Sequence, residues 1–223
     1  MVDFKKFSDP EWIEEWERKK KEREKLYEEK EKLRKQTVCF TGHRPDKLGG
    51  YDENNPVMVR MRQKLFEVIE TLINQEGKTR FISGGALGTD QEAFWVVEAL
   101  KKEYPNIVNI VATPFKNQDS VWSDTLKYRY QHMLEKADEV VNVEELDEYK
   151  VKGQTLGEFS KEKMKKRNEY MVDHSEAIVA VFDGSHKSGT ANCIAYARNR
   201  YLGHQLWRLY PQVDFDLDIT YLA

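Results

Sequence analysis

Cysteine is scarce in this chain: Cys39 and Cys193 are the two among 223 residues. There is no CxxC pair, no cysteine–histidine cluster and no HExxH helix, so no zinc site or other metal centre is expected. Cys39 sits inside a run that reads as a core strand, where a thiol serves as a small apolar residue. Long apolar runs are also missing, and the N-terminus is charged instead of signal-like, which gives no membrane partner and a cytoplasmic expectation. Positive charge is not in excess. The 36 Lys and Arg meet 39 Asp and Glu, for a net charge of −3. That balance disfavours a surface built generally for nucleic acid, while leaving room for a local basic groove. No internal repeat is evident.

What the chain does have is unevenly placed. Charged residues make up 34% of it, and many fall within residues 1–36. Ser8-Asp9-Pro10-Glu11 has the marks of a helix start: a capping side chain, proline in the first turn and an acid close behind. Trp12, Ile13, Trp16, Leu26, Tyr27 and Leu33 follow among Lys, Arg and Glu, too sparsely for a sustained heptad. This predicts a long solvated helix whose Trp12/Trp16 end packs on the body or on a partner, a second copy in a homo-oligomer included.

From Thr37 to Tyr210 the pattern alternates between strands and helices. Thr37–Gly42, Thr79–Ile82, Ile107–Ala112, Glu139–Val143, Ala177–Phe182 and Gln205–Tyr210 read as strands. Val57–Gln75, Asp90–Tyr104, Trp122–Lys136, Ser160–Asp173 and Thr190–Tyr201 read as helices. Such alternation predicts an α/β fold: a Rossmann-like parallel sheet with helices on both faces. The division expected is a helical extension over 1–36, one α/β domain over 37–210 and an acidic, loosely held tail over 211–223.

In an open parallel sheet, ligands bind beyond the carboxyl ends of the strands, and the chain's glycine and polar residues gather there. Ser83-Gly84-Gly85-Ala86-Leu87-Gly88-Thr89-Asp90 joins a strand to a helix. Such a turn either presents bare amides to a phosphate at the helix start or is simply tight. The segment Asp183-Gly184-Ser185-His186-Lys187-Ser188-Gly189-Thr190 is a second turn of this kind. Arg44, in Gly42-His43-Arg44, is suited to clamping a phosphate. Asp90 suits either a ribose hydroxyl or the helix dipole, and Trp122 either stacks on a base or packs in the core. Asp90, Glu92 and Asp173 are the candidate acids should the ligand be turned over.

These motifs, in this order, resemble the YpsA-like branch of the SLOG superfamily, which includes the DprA proteins and the Lonely Guy phosphoribohydrolases. The likeness rests on Thr41-Gly42-His43-Arg44-Pro45, the Ser83–Asp90 segment, Pro114-Phe115 with Gln118 and Trp122, Arg167-Asn168 with Met171-Val172-Asp173, and Gly189-Thr190. It implies a Rossmann-like sheet with a pocket for a nucleotide or nucleotide-derived molecule, sensed or sequestered, and no further cofactor. Enzymatic relatives carry a Pro-Gly-Gly-x-Gly-Thr-x-x-Glu motif. By pattern its counterpart is Gly84 to Glu92; by chain order it is Gly189 to Cys193, with Cys193 in the glutamate's place. The resemblance leaves two alternatives: a hydrolase or transferase acting on an N-glycosidic or phosphoester bond, and a single-stranded DNA-binding protein.

Overall fold

The computed structural model describes residues 9–200 and 202–222. Helix α1 (Pro10–Lys35) leads into β1 (Thr37–Gly42). Then follow α2 (Pro56–Asn74), β2 (Arg80–Ser83), α3 (Thr89–Leu100), β3 (Val108–Thr113), α4 (Asp124–Lys136) and β4 (Glu139–Asn142). The chain continues through α5 (Lys161–Asp173), β5 (Ala177–Val181), α6 (Gly189–Asn199), β6 (His204–Tyr210) and β7 (Asp216–Leu222). The seven strands form one sheet in the order β4-β3-β2-β1-β5-β6-β7. The first six are parallel, and β7 runs antiparallel to β6. Parallel neighbours require crossovers, which the helices supply.

Alternation along the strands divides the core in two. Val38 and Phe40 of β1, with Val179 of β5, pack beneath Met61, Leu65 and Ile69 of α2 and Val97 of α3. Cys39, Ile178 and Ala180 face the other way, toward Val172 of α5 and Cys193 and Ala197 of α6. All five residues of β5 are buried. Both of its faces are covered, which is why the strand reads as an unbroken apolar run.

Several expectations need correction. The acidic segment after Pro211 is no loose tail. Asp216–Leu222 pairs with all seven residues of β6, and Phe215 is buried in the α2-side core. Asp214 and Phe215 adopt left-handed backbone angles (φ 53° and 59°) at the turn that sends the chain back. The Asp-Leu-Asp-Ile-Thr-Tyr-Leu alternation of a strand was masked by the acidity of the segment. The helix expected at Trp122 starts at Asp124, after Ser123 as N-cap. The helix expected over Thr190–Tyr201 runs from Gly189 to Asn199, and Tyr201 lies outside the described residues. At α1 the Asp9 side chain caps the Glu11 amide at 3.0 Å, and none of the helix's residues is buried. Ser8 lies outside the described residues. Among the described residues no helix is long and apolar enough to cross a membrane.

Helix α5 is held at its start by a buried ion pair. Lys163 Nζ donates to Glu144 Oε2 at 2.8 Å and to the Glu158 carbonyl at 3.0 Å. Both side chains of the pair are 3% exposed. Burial pushes the Glu144 carboxyl up, but the Lys163 ammonium and the Lys116 and Gly157 amides outweigh it and hold the group below its usual range. Glu144 therefore contributes stability that is present above the unfolded carboxylate value of about 4.3 and is lost as the pH falls.

Two stability measurements check this packing. Gly88 has φ +91°, and a Cβ there would lie 2.5 Å from the His43 carbonyl oxygen. Gly88→Ala is expected to destabilise by ~2–4 kcal/mol in a thermal melt. Gly50→Ala shares the positive φ but has nothing within 4 Å of its new Cβ, and should lose ~1 kcal/mol. Lys163→Met strands a buried carboxylate and should lose ~3–5 kcal/mol. Adding Glu144→Gln, which removes the charge and keeps an acceptor for the two amides, should restore a large part of that loss.

Candidate functional site

Strand order reverses between β1 and β5, and their exits part to opposite faces of the sheet. A crevice opens at such a switch point. Here it is a cavity of about 340 Å³. Thr41 to Arg44 line it from β1 and its exit, Lys187 to Thr190 from the turn into α6, Ala86 from the glycine turn after β2 and Asp90 from the first turn of α3. Helix α5 closes the remaining side with Lys161, Met164, Lys165, Arg167 and Asn168, which recur at helical spacing on one face.

The wall is strongly basic. Arg44, Lys47, Lys161, Lys165, Arg167 and Lys187 line it, against Asp46 and Asp90. Arg44 is exposed and, like Lys161 and Lys187, makes no side-chain hydrogen bond or ion pair with the described residues. Arg167 is only 4% exposed; its Nη1 lies 3.3 Å from Asp90 Oδ2, and its buried Nε has no hydrogen-bond partner among the described residues. A buried guanidinium satisfied on one side alone is a strong unspent donor.

The start of α6 opens into the same space. Ser188 is the N-cap, with its Oγ accepting from the Ala191 amide at 3.0 Å. The first turn of a helix leaves N–H groups without intrahelical partners and carries the positive end of the dipole. Nothing lies within 4 Å of where a Gly189 Cβ would stand. Thr190 Oγ1 meets Thr41 Oγ1 at 3.4 Å, tying this turn to β1.

His43 clips the two strand exits together. Its Nε2 accepts the Asp183 amide at 3.0 Å, which places the ring proton on Nδ1. Burial, opposed by Asp183, keeps the imidazole pKa below its ordinary value. Asp183 in turn accepts from Lys47 Nζ at 2.9 Å and from the Ser185 amide. These contacts, Lys47 first, hold its carboxyl far below the usual range.

The glycine turn after β2 differs most from expectation. Ser83, Gly84, Gly85, Gly88 and Thr89 are buried and do not line the cavity. A Cβ on Gly84 would lie 1.2 Å from Arg167 Nη1, and one on Gly85 would lie 2.9 Å from the Tyr130 ring. The Thr89 hydroxyl donates to the His43 carbonyl at 3.1 Å. The glycines do permit close approach, but what approaches is the protein itself. Beneath them Gln118 Oε1, Tyr130 Oη and Arg167 Nε are buried without partners.

Of the candidate acids, Asp90 alone reaches the cavity. Glu92 is 4% exposed and held by Arg62 at 2.9 Å and Arg129 at 3.7 Å. Asp173 accepts from Tyr149, Tyr196 and Arg200. Cys193 is buried, and burial pushes its thiol up to about 12, against the opposing pull of Arg167. Trp122 packs edge-on against Tyr130 at 5.2 Å, outside the lining. Gly184 lines a different cavity, beside Arg208. Lys161 and Lys165, which no sequence motif singled out, and Arg167, which carried the family likeness without a role of its own, form much of the wall. The signal for the two lysines was their 161/165 spacing behind the Ser160 cap. Among the described residues no group of three His, Cys, Asp or Glu side chains is placed to hold a metal.

Comparison with known proteins agrees with this architecture. The SPbeta prophage-derived protein YoqJ of Bacillus subtilis (strain 168) is 65% identical over 169 residues, 76% of this chain and 98% of that protein. A UPF0398 protein of Bacillus cereus (strain G9842) is 27% identical over 146 residues, 66% of this chain and 73% of its own length. DNA processing protein A of Streptococcus pneumoniae shares the fold, with a TM-score of 0.50 and 18% identity over 79% of this chain and 50% of that one. Residues 38–210 match the YpsA family model, described as the YspA SLOG family. The match runs from the second residue of β1 to the last of β6 and takes in every strand that builds the cavity, and on that ground the chain belongs to the YspA SLOG family.

Proposed function

We propose that this protein binds a phosphate-bearing, nucleotide-type small molecule in the cavity between β1 and β5, as a sensing or sequestering module. One observation carries the reading. A chain of net charge −3 places six basic side chains and two acidic ones around a single switch-point crevice. Its volume lies in the range usual for small-molecule sites.

In this reading the phosphate sits at the first turn of α6, on the Gly189 and Thr190 amides, with Ser188 beside them. Lys187 and Arg44 close over it as flexible cations from the rim. Arg167 meets the ligand's inner part through its guanidinium, and Asp90 Oδ1 accepts a ribose hydroxyl. The first glycine turn acts from beneath: it seats Arg167 on Gly84 and does not itself touch phosphate. A hydrolase or transferase would have to use Asp90, the one candidate acid in the lining. A single-stranded DNA ligand would need stacking aromatics along the groove, and the wall holds Phe40 alone, fully buried.

Calorimetric titration with AMP, ADP, NAD and ADP-ribose, with chromatography of the mixtures afterwards, tests the reading. Binding by one or more of them without a new product supports a sensing module. A product that disappears in Asp90→Asn assigns an enzyme. Retention of labelled oligonucleotide alone, with a steep salt dependence, would overturn the small-molecule reading, as would no binding at all. Arg167→Gln should weaken nucleotide affinity ~10–100-fold, the worth of a charge-assisted hydrogen bond.

A second variant separates binding from folding. Gly189→Asp places a carboxylate at the start of α6, where the helix dipole favours it and open space receives it. The melting temperature should hold or rise while nucleotide binding is lost. Unchanged affinity in Gly189→Asp would remove the phosphate from the α6 turn.

A further inference from the structure

The strand missed in the sequence carries an exposed surface of its own. β7 closes one end of the sheet and, among the described residues, pairs with β6 alone. Its outer edge is a row of backbone donors and acceptors without strand partners, the usual template for pairing with another chain. It lies outside the residues that match the family model. Leu217, Ile219 and Tyr221 are 43%, 45% and 71% exposed. Register places Leu217 beside Leu209 and Ile219 beside Trp207, so all three stand on the α2 face of the sheet. Asp218, Thr220 and Leu222 stand on the other face, by Arg208 and Leu206.

We propose that β7 is a homodimer edge, pairing antiparallel with β7 of a second copy about a two-fold axis at Ile219. The sequence is self-complementary in that register. Ile219 faces Ile219 of the second copy, Leu217 faces Tyr221, Asp218 faces Thr220 and Asp216 faces Leu222. All seven residues pair, and the apolar side chains of both copies form one stripe on one face. Cross-strand apolar pairs stabilise such a ladder, and like charges placed opposite would oppose it. A register centred on Asp218 sets that carboxylate against its own copy. One centred on Thr220 leaves Asp216 and Leu217 unpaired. The central register alone uses the whole strand without an acid–acid contact. The two sheets then run on as one.

Sedimentation velocity on the full chain over a range of concentrations tests this. The expected species is a dimer. Ile219→Lys, which sets two ammonium groups against each other, should raise its dissociation constant about tenfold or more. The exposed position should leave the melting temperature nearly unchanged. Should that variant fold poorly, Ile219→Cys gives a second reading. Directly opposed strand residues lie within disulfide reach, and the native Cys39 and Cys193 are buried. Mild oxidation should cross-link Ile219→Cys and leave Thr220→Cys, which faces Asp218, largely unlinked. A monomer at every concentration would overturn the proposal. So would a dimer that survives Ile219→Lys and is lost on replacing exposed α1 residues such as Trp16 and Leu26, since the interface would then belong to α1.

Discussion

Two parallel strands that lie side by side and leave the sheet toward opposite faces create a gap that their own connections cannot fill. β1 and β5 are those strands, and the site depends on that gap. Their exits must also be fixed relative to each other, or the gap has no definite shape. His43 does this from one side by accepting the Asp183 amide, and Lys47 does it from above by pairing with Asp183. Thr41 and Thr190 meet at the base. A neutral imidazole suits the role, because a protonated ring would lose the acceptor that the amide needs.

Charge fills the gap's walls, and the fold sets each cation differently. Arg167 is the most committed: it lies across Gly84 and holds Asp90. Its position depends on a glycine, since any Cβ at residue 84 would overlap the guanidinium. Lys161 and Lys165 ride on the first turns of α5, whose start is locked by Lys163 and Glu144. Arg44 and Lys187 line the same cavity without partners among the described residues. The wall thus combines an ion-paired inner cation with unpaired ones. An anionic ligand would be drawn in by the unpaired group and oriented by the inner one.

Much of this was legible from residues alone. The alternation of apolar runs announced the sheet and its two helical layers, and the unbroken run Ala177–Val181 announced a strand covered on both faces. Both strand-to-helix turns were visible as glycine clusters. What a sequence cannot state is which atoms use the space that a glycine leaves. At Gly84, Gly85 and Gly88 that space is taken by Arg167, Tyr130 and the His43 carbonyl, whereas at Gly189 it stays open. Contacts of this kind join segments tens of residues apart, so local pattern carries no trace of them. β7 escaped for a different reason. Its alternation is complete, but Asp214, Asp216 and Asp218 gave the segment the composition of a solvated tail, and the anchoring residue Phe215 lies just before the strand.

On the proposed function, anion recognition belongs to the α6 turn and Arg167, not to the glycine turn after β2. Backbone and arginine side-chain nitrogen chemical shifts, followed by NMR as AMP is added to the isotopically labelled protein, discriminate between the two turns. The largest changes are expected on the amides of Gly189 and Thr190 and on the Arg167 guanidinium. Large changes at Gly84, Gly85 and Gly88, with Gly189 and Arg167 unmoved, would contradict it.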